Sequence, residues 1–106
     1  MKKPWFYILL SLAEAPRHGS AIQEDVRELS GGSVRLWPVT LYGSIEALVD
    51  AGWIAETQLS EPPDGANGRE RFYGILPDGR EALRAEVRGM EATIHLAHGR
   101  LTDGVG

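Results

Sequence analysis

Trp37-Pro38-Val39-Thr40-Leu41-Tyr42-Gly43-Ser44-Ile45-Glu46-Ala47-Leu48-Val49-Asp50-Ala51-Gly52-Trp53-Ile54 decides how the rest of the chain is read. Proline suits the first turn of a helix, where its missing N–H has no partner to lose, so Pro38 marks a start. Glycine takes the left-handed conformation that closes many helices, so Gly52 marks the end. Between them Leu41, Ile45, Leu48 and Val49 recur at helical spacing and predict one buried face. Thr40, Gly43 and Ala47 fall on the opposite face. Such small side chains let a helix backbone sit close against another surface. A DNA major groove is one candidate, because it admits a helix led by its N-terminal residues. An ordinary solvated helix carries the same residues, so this stretch alone leaves both readings open.

The chain of 106 residues is enough for one domain with a modest core. Hydrophobic residues make up 42% and charged residues 25%, which is globular usage. Cysteine is absent, which removes disulfides and thiolate chemistry. The apolar run from Trp5 to Leu10 is too short to span a bilayer and lacks a cleavage site, so the expectation is a cytoplasmic protein without membrane contact. The net charge of −4 argues against nucleic acid on global charge alone. Nine of the eleven bases are arginines, and Arg69 and Arg71 flank Glu70. Any DNA-binding surface must therefore be a local arrangement, with steep salt dependence.

Upstream, residues from about Pro4 to Glu14 read as a helix. Trp5, Ile8, Leu9 and Leu12 share one face, and Phe6, Leu10 and Ala13 widen it. A helix apolar nearly all round is buried on more than one side, so Trp5 and Leu9 are expected to serve a subunit interface as well as the core. Ala15-Pro16 ends the helix. Ser20 and Gln23 have capping-box spacing and open a second helix with Ile22, Val26 and Leu29 buried. Ser30-Gly31-Gly32 stops it, and Ser33–Leu36 reads as a short strand or extended link.

Downstream of Gly52 the period becomes alternating. Trp53–Leu59 and Arg69–Leu76 read as two strands around a Ser60–Gly68 loop marked by Pro-Pro, Asp-Gly and Asn-Gly. The alternation puts Arg69, Arg71, Tyr73 and Ile75 on one side. Pro77 opens a last helix in which Leu83, Val87, Met90, Ile94, Ala97 and Leu101 alternate in steps of four and three. That is a heptad seam of under three heptads, which points to a partner helix. Three helices, a hairpin and a long helix make the expected class mainly α with a small β-hairpin (α+β). The plan is a winged helix-turn-helix over residues 1–76, a dimerisation helix over 77–101 and a disordered tail over 102–106.

The residues then carry a family resemblance. Tyr7-Ile8-Leu9-Leu10-Ser11-Leu12, Arg17-His18-Gly19-Ser20-Ala21-Ile22, Thr40-Leu41-Tyr42, Leu48-Val49-Asp50-Ala51-Gly52-Trp53-Ile54, Arg69-Glu70-Arg71-Phe72-Tyr73 and Asp78-Gly79-Arg80-Glu81-Ala82-Leu83 follow in order. This resembles the phenolic acid decarboxylase regulator (PadR) family of bacterial transcription factors over roughly Tyr7–Val87. The resemblance implies a dimeric repressor of an inverted-repeat operator, with the third helix in the major groove and the hairpin wing on the backbone or minor groove. By position it implies Thr40, Tyr42 and Ser44 on or beside the DNA-facing helix, and Arg69 and Arg71 on the wing. Gly43 joins them as a DNA-contact candidate from the small outer face of the helix read above. The expected regulator releases its DNA on a small-molecule or other cue acting on the dimer. The sequence departs from the family pattern with Ser20 for an aromatic residue, Gly43 for proline and Pro77 for threonine.

Other residues have plainer readings beside the functional ones. Tyr42 is either packed or extends its hydroxyl to a phosphate. Glu46 either accepts from a cytosine amine or is merely solvated. His18 is read as structural, holding the helix-to-helix corner through a hydrogen bond. Glu91, His95 and His98 follow one another at about one helical turn each but lack a fourth ligand, so no metal or other cofactor is expected. Trp5, Trp37 and Trp53 either line a ligand pocket or pack in core and interface. No phosphate loop or catalytic triad motif occurs, so an enzyme is not expected. The rival to a DNA-binding regulator is a winged-helix protein-interaction module that does not bind specific DNA; the acidic charge and Ser20 favour it.

Overall fold

Pro38 and Gly52 bracket a helix as the sequence predicts. Helix α3 spans Pro38–Asp50, with Trp37 extended at its N-cap and Gly52 left-handed at φ 77°. The computed structural model describes residues 1–58 and 70–103. Before α3 come α1 (Lys3–Glu14), β1 (Arg17–His18) and α2 (Gly19–Leu29); after it come β2 (Ile54–Thr57), β3 (Phe72–Ile75) and α4 (Pro77–Asp103). The strands form one antiparallel sheet in the order β1-β3-β2, with Ile54 opposite Ile75, Thr57 opposite Phe72 and Arg17 opposite Tyr73. This is the expected winged helix-turn-helix with a long last helix.

One buried cluster ties the elements together. Ile8, Leu9 and Leu12 of α1 meet Ile22 and Val26 of α2, Leu41, Ile45 and Leu48 of α3, then Ile54, Tyr73 and Leu83. The link between α2 and α3 is extended and forms no strand, and it buries Val34 and Leu36 in the same cluster. The Gln23 side chain donates to the Leu36 carbonyl, which fastens that link to α2. The link between α2 and α3 is thus held both by that hydrogen bond and by the burial of Val34 and Leu36.

Several expectations are corrected. The sheet has three strands, because the two residues before α2 add an edge to the hairpin. β3 is therefore central, and its alternation fails: Phe72 and Tyr73 are both buried. His18, not Ser20, caps α2, its Nδ1 accepting the Ala21 N–H at 3.3 Å. That is the corner hydrogen bond expected of His18. Val49 is 41% exposed, since the buried stripe of α3 is Leu41, Ser44, Ile45 and Leu48. Leu29 is also exposed. Leu9 and Leu83 lie in the core of the protomer, at 0% and 8% exposure, so neither is available to a partner surface. Thr102 and Asp103 extend α4 where a tail was expected; residues 104–106 and the Ser60–Gly68 loop lie outside the described residues.

Helix α4 sets the overall shape. Its 27 residues make a rod of about 40 Å. The radius of gyration is 16.3 Å, against about 13 Å for a compact domain of 100 residues. The excess comes from the second half of α4, where every residue from Arg88 to Thr102 is exposed. Among the described residues no helix is long and apolar enough to cross a membrane.

Candidate nucleic-acid interface

Successive helical residues are rotated by about 100°. Val39 and Gly43 each stand two residues from buried Leu41, which carries both to the far side of α3. Glu46 and Asp50 continue the same stripe. Thr40, Gly43 and Glu46 are exposed, Tyr42 is half-exposed at 53%, and Ala47 is half-buried. A Cβ built on Gly43 would meet nothing within 4 Å. Ser44 does not belong to this surface; it is 8% exposed and faces the core. Val39, exposed at 88%, carries the face into the first turn of α3, and Trp37, exposed at 66%, extends it past the helix N-terminus. Neither stands out by residue type, but counting 200° from Leu41 finds Val39.

Tyr42 joins α3 to the start of α2. Its ring lies against Gly19 so closely that a Cβ there would come within 2.7 Å of the Tyr42 hydroxyl and 3.2 Å of Cζ. The His-Gly and Thr-Leu-Tyr sequences are therefore two halves of one contact. His18 extends it to the wing, with Nε2 3.4 Å from Glu70 Oε2 and its ring edge-on to Phe72 at 5.5 Å. His18, Gly19, Ser20, Tyr42, Glu70, Arg71 and Tyr73 line a cleft of about 330 Å³ where the two helices meet the wing base.

The bases divide into engaged and unengaged groups. Arg17 is held by Glu14 at 3.0 Å and Asp25 at 3.5 Å. Arg84 and Arg88 pair with Glu81, and Arg80 donates to the Ala13 carbonyl. Arg27, Arg35 and Arg71 are exposed and make no ion pair among the described residues. Arg71 sits at the wing base; Arg69 lies outside the described residues. Arg27 and Arg35 line a second cleft with Ser20, Gln23, Glu24, Leu36 and Trp37. Ser20 borders both clefts, so unengaged arginines occur on each side of the α2 N-terminus. Sequence reading missed Arg27 and Arg35, because only folding brings them together.

The three tryptophans do not converge. Trp5 and Trp53 pack edge to face at 6.2 Å, while Trp37 edges the arginine cleft. No group of three or more His, Cys, Asp or Glu among the described residues could hold a metal ion. On α4 the seam divides: Leu83 is core and Val87 half-buried, whereas Met90, Ile94, Ala97 and Leu101 are exposed, Leu101 at 73%. Leu96, off the seam, is also exposed at 63%.

Comparison with known proteins gives these elements a family. The transcriptional regulator PadR-like family matches residues 8–85. The chain belongs to the PadR-like family. Its fold is shared by a PadR family transcription regulator from Clostridium difficile R20291, at TM-score 0.76 and 20% identity over 94% of this chain and 99% of that one. A transcriptional regulator from Clostridium thermocellum matches at TM-score 0.71 and 22% identity, covering 91% and 87%. Bacillus subtilis PadR, solved in complex with operator DNA, matches at TM-score 0.66 and 19% identity, covering 81% of this chain and 47% of that one. By sequence, an uncharacterized 37.1 kDa protein in transposon TN4556 of Streptomyces fradiae is 36% identical over 83 residues. This PadR-like chain spans 21% of that protein's length.

Proposed function

We propose that this PadR-like chain is a homodimeric transcriptional repressor that reads an inverted-repeat operator. The observation that carries the reading is the exposed outer face of α3, Val39, Thr40, Tyr42 and Gly43. Arg71 shares a cleft with Tyr42, Arg27 and Arg35 share one with Trp37, and none of the three makes an ion pair among the described residues. A major groove takes such a helix N-terminus first, and cations at its margins neutralise phosphates. Thr40, Tyr42 and Gly43 face the groove; Arg71, with Arg69, takes the wing to the backbone. The operator complex of Bacillus subtilis PadR supports this use of the shared fold. Ser44 is left out, since it faces the core.

The dimer rests on the exposed half of the α4 seam. Met90, Ile94, Ala97 and Leu101, with Val87 at its root, form an apolar strip that a single protomer leaves in water. Pairing two copies buries it and duplicates the reading helix about a two-fold axis. Half-sites then lie about one helical turn, roughly 34–36 Å, apart. A small-molecule or other cue that changes the angle between the two α4 helices would misplace the second reading helix and release the DNA. The cytoplasm is the compartment such a regulator requires.

The test is selection of bound fragments from random duplex DNA by purified protein. One recovered inverted repeat is the expected result. Recovery of random sequence, or of none, would favour a winged-helix module for protein contacts, the reading favoured by the net charge of −4.

A further inference from the structure

Val39 is the most exposed large apolar side chain among the described residues, at 88%. Neither core packing nor helix propensity accounts for it, since a β-branched residue loses rotamer freedom in a helix. It occupies the second position of α3. One turn further on, in line with it, Gly43 has no side chain to keep the helix away from a facing surface. Thr40 lies beside it, and Arg35 precedes it by four residues.

We infer that Val39 reads a thymine, its methyl groups packing on the thymine 5-methyl in each half-site. The inference rests on the DNA-binding reading above and specifies what that surface recognises. The 5-methyl is the one apolar group that the bases present in the major groove; the other base-edge features there are hydrogen-bond donors and acceptors. A valine cannot pair with a guanine or adenine edge, so placing one there would strip water from polar atoms without replacing their hydrogen bonds. A first-turn residue also goes deepest when a helix enters N-terminus first. Val39 therefore favours thymine both by contact and by exclusion.

The test starts from the duplex that wild-type protein selects. Each thymidine is replaced singly by deoxyuridine, which removes only the methyl group. One position per half-site should weaken binding about fourfold, and about fifteenfold when both half-sites are changed, the size expected for burying one methyl each. Val39→Ala should weaken binding to the thymine duplex and reduce the thymine–uracil difference below twofold. That variant keeps its fold, because the side chain is exposed and alanine is the better helix former; an unchanged melting curve checks this. Insensitivity to uracil at every position would overturn the inference while leaving DNA binding intact. So would a full uracil effect that persists in Val39→Ala. Failure to select any sequence would remove the inference together with the DNA-binding reading, and is distinguished by the first step alone.

Discussion

A methyl group added at Gly79 has no room. An ideal Cβ there lies 2.2 Å from the Trp53 carbonyl oxygen, 2.9 Å from its carbon and 3.0 Å from Ile75 Cγ1. The obstacle is backbone, and the same carbonyl accepts the Leu76 N–H at 2.8 Å. Reaching an ordinary contact requires a shift of about 1 Å, which either disturbs that hydrogen bond or lifts α4 off the sheet. Overpacking and a weakened hydrogen bond together cost about 3–4 kcal/mol, and alanine's better helix propensity returns about 1. Gly79→Ala should therefore destabilise by about 2–3 kcal/mol. Gly89, on the same helix, has nothing within 4 Å of an added Cβ. Gly89→Ala should stabilise by about 0.5–1 kcal/mol. Urea denaturation followed by circular dichroism, at one fixed protein concentration because the proposed dimerisation would couple to stability, separates the two. A Gly79→Ala variant as stable as the parent would refute the packing argument. A loss in Gly89→Ala equal to that in Gly79→Ala would show that helix context, not the Trp53 carbonyl, governs both.

Met90→Glu combined with Ile94→Glu should give monomers in sedimentation, with DNA binding at least about tenfold weaker; both side chains are exposed in the protomer, so its own fold should survive. A double variant that still sediments as a dimer would place the interface elsewhere. Arg71→Ala should weaken binding to all sequences alike and make the slope of log K against log salt shallower by about one per protomer; an unchanged slope would mean that this arginine touches no phosphate. His18→Ala removes the α2 cap and should cost about 1 kcal/mol, most of it recovered in His18→Asn, which restores an acceptor; equal losses in both variants would show that the ring's contact with Phe72 matters more than the cap.

The elements of the fold were legible where the signal is local. Pro38, Gly52 and the Leu41–Ile45–Leu48 spacing fix α3, and Pro77 fixes the start of α4. β1 was not legible, because two residues carry no alternation; Arg17 and His18 become a strand only when β3 lies beside them. The α2 cap misled for a related reason. Ser20 is the better capping residue by type, but pairing of His18 with β3 starts the helix at Gly19. The outer face of α3 was partly legible: Thr40 and Gly43 follow from angle, whereas Ser44 was placed there by resemblance and the helix turns it inward. Arg27 and Arg35 are eight residues apart on different segments, and their shared cleft depends on the extended link that Val34 and Leu36 anchor. The seam on α4 was visible as a period, but the period does not say that Leu83 is spent inside the protomer.

Gly43→Trp tests the central claim most directly. A Cβ added at Gly43 has nothing within 4 Å, and the position is exposed on the side of α3 opposite buried Leu41, so an indole there is expected to project into solvent rather than into the core. Binding of the variant to the duplex selected by wild-type protein should be measured alongside its melting curve and sedimentation. The expected result is loss of specific binding with stability and dimerisation unchanged, because the indole holds the helix out of the groove. Undiminished binding by the folded, dimeric variant would contradict the account, since the outer face of α3 could not then be the surface that meets DNA.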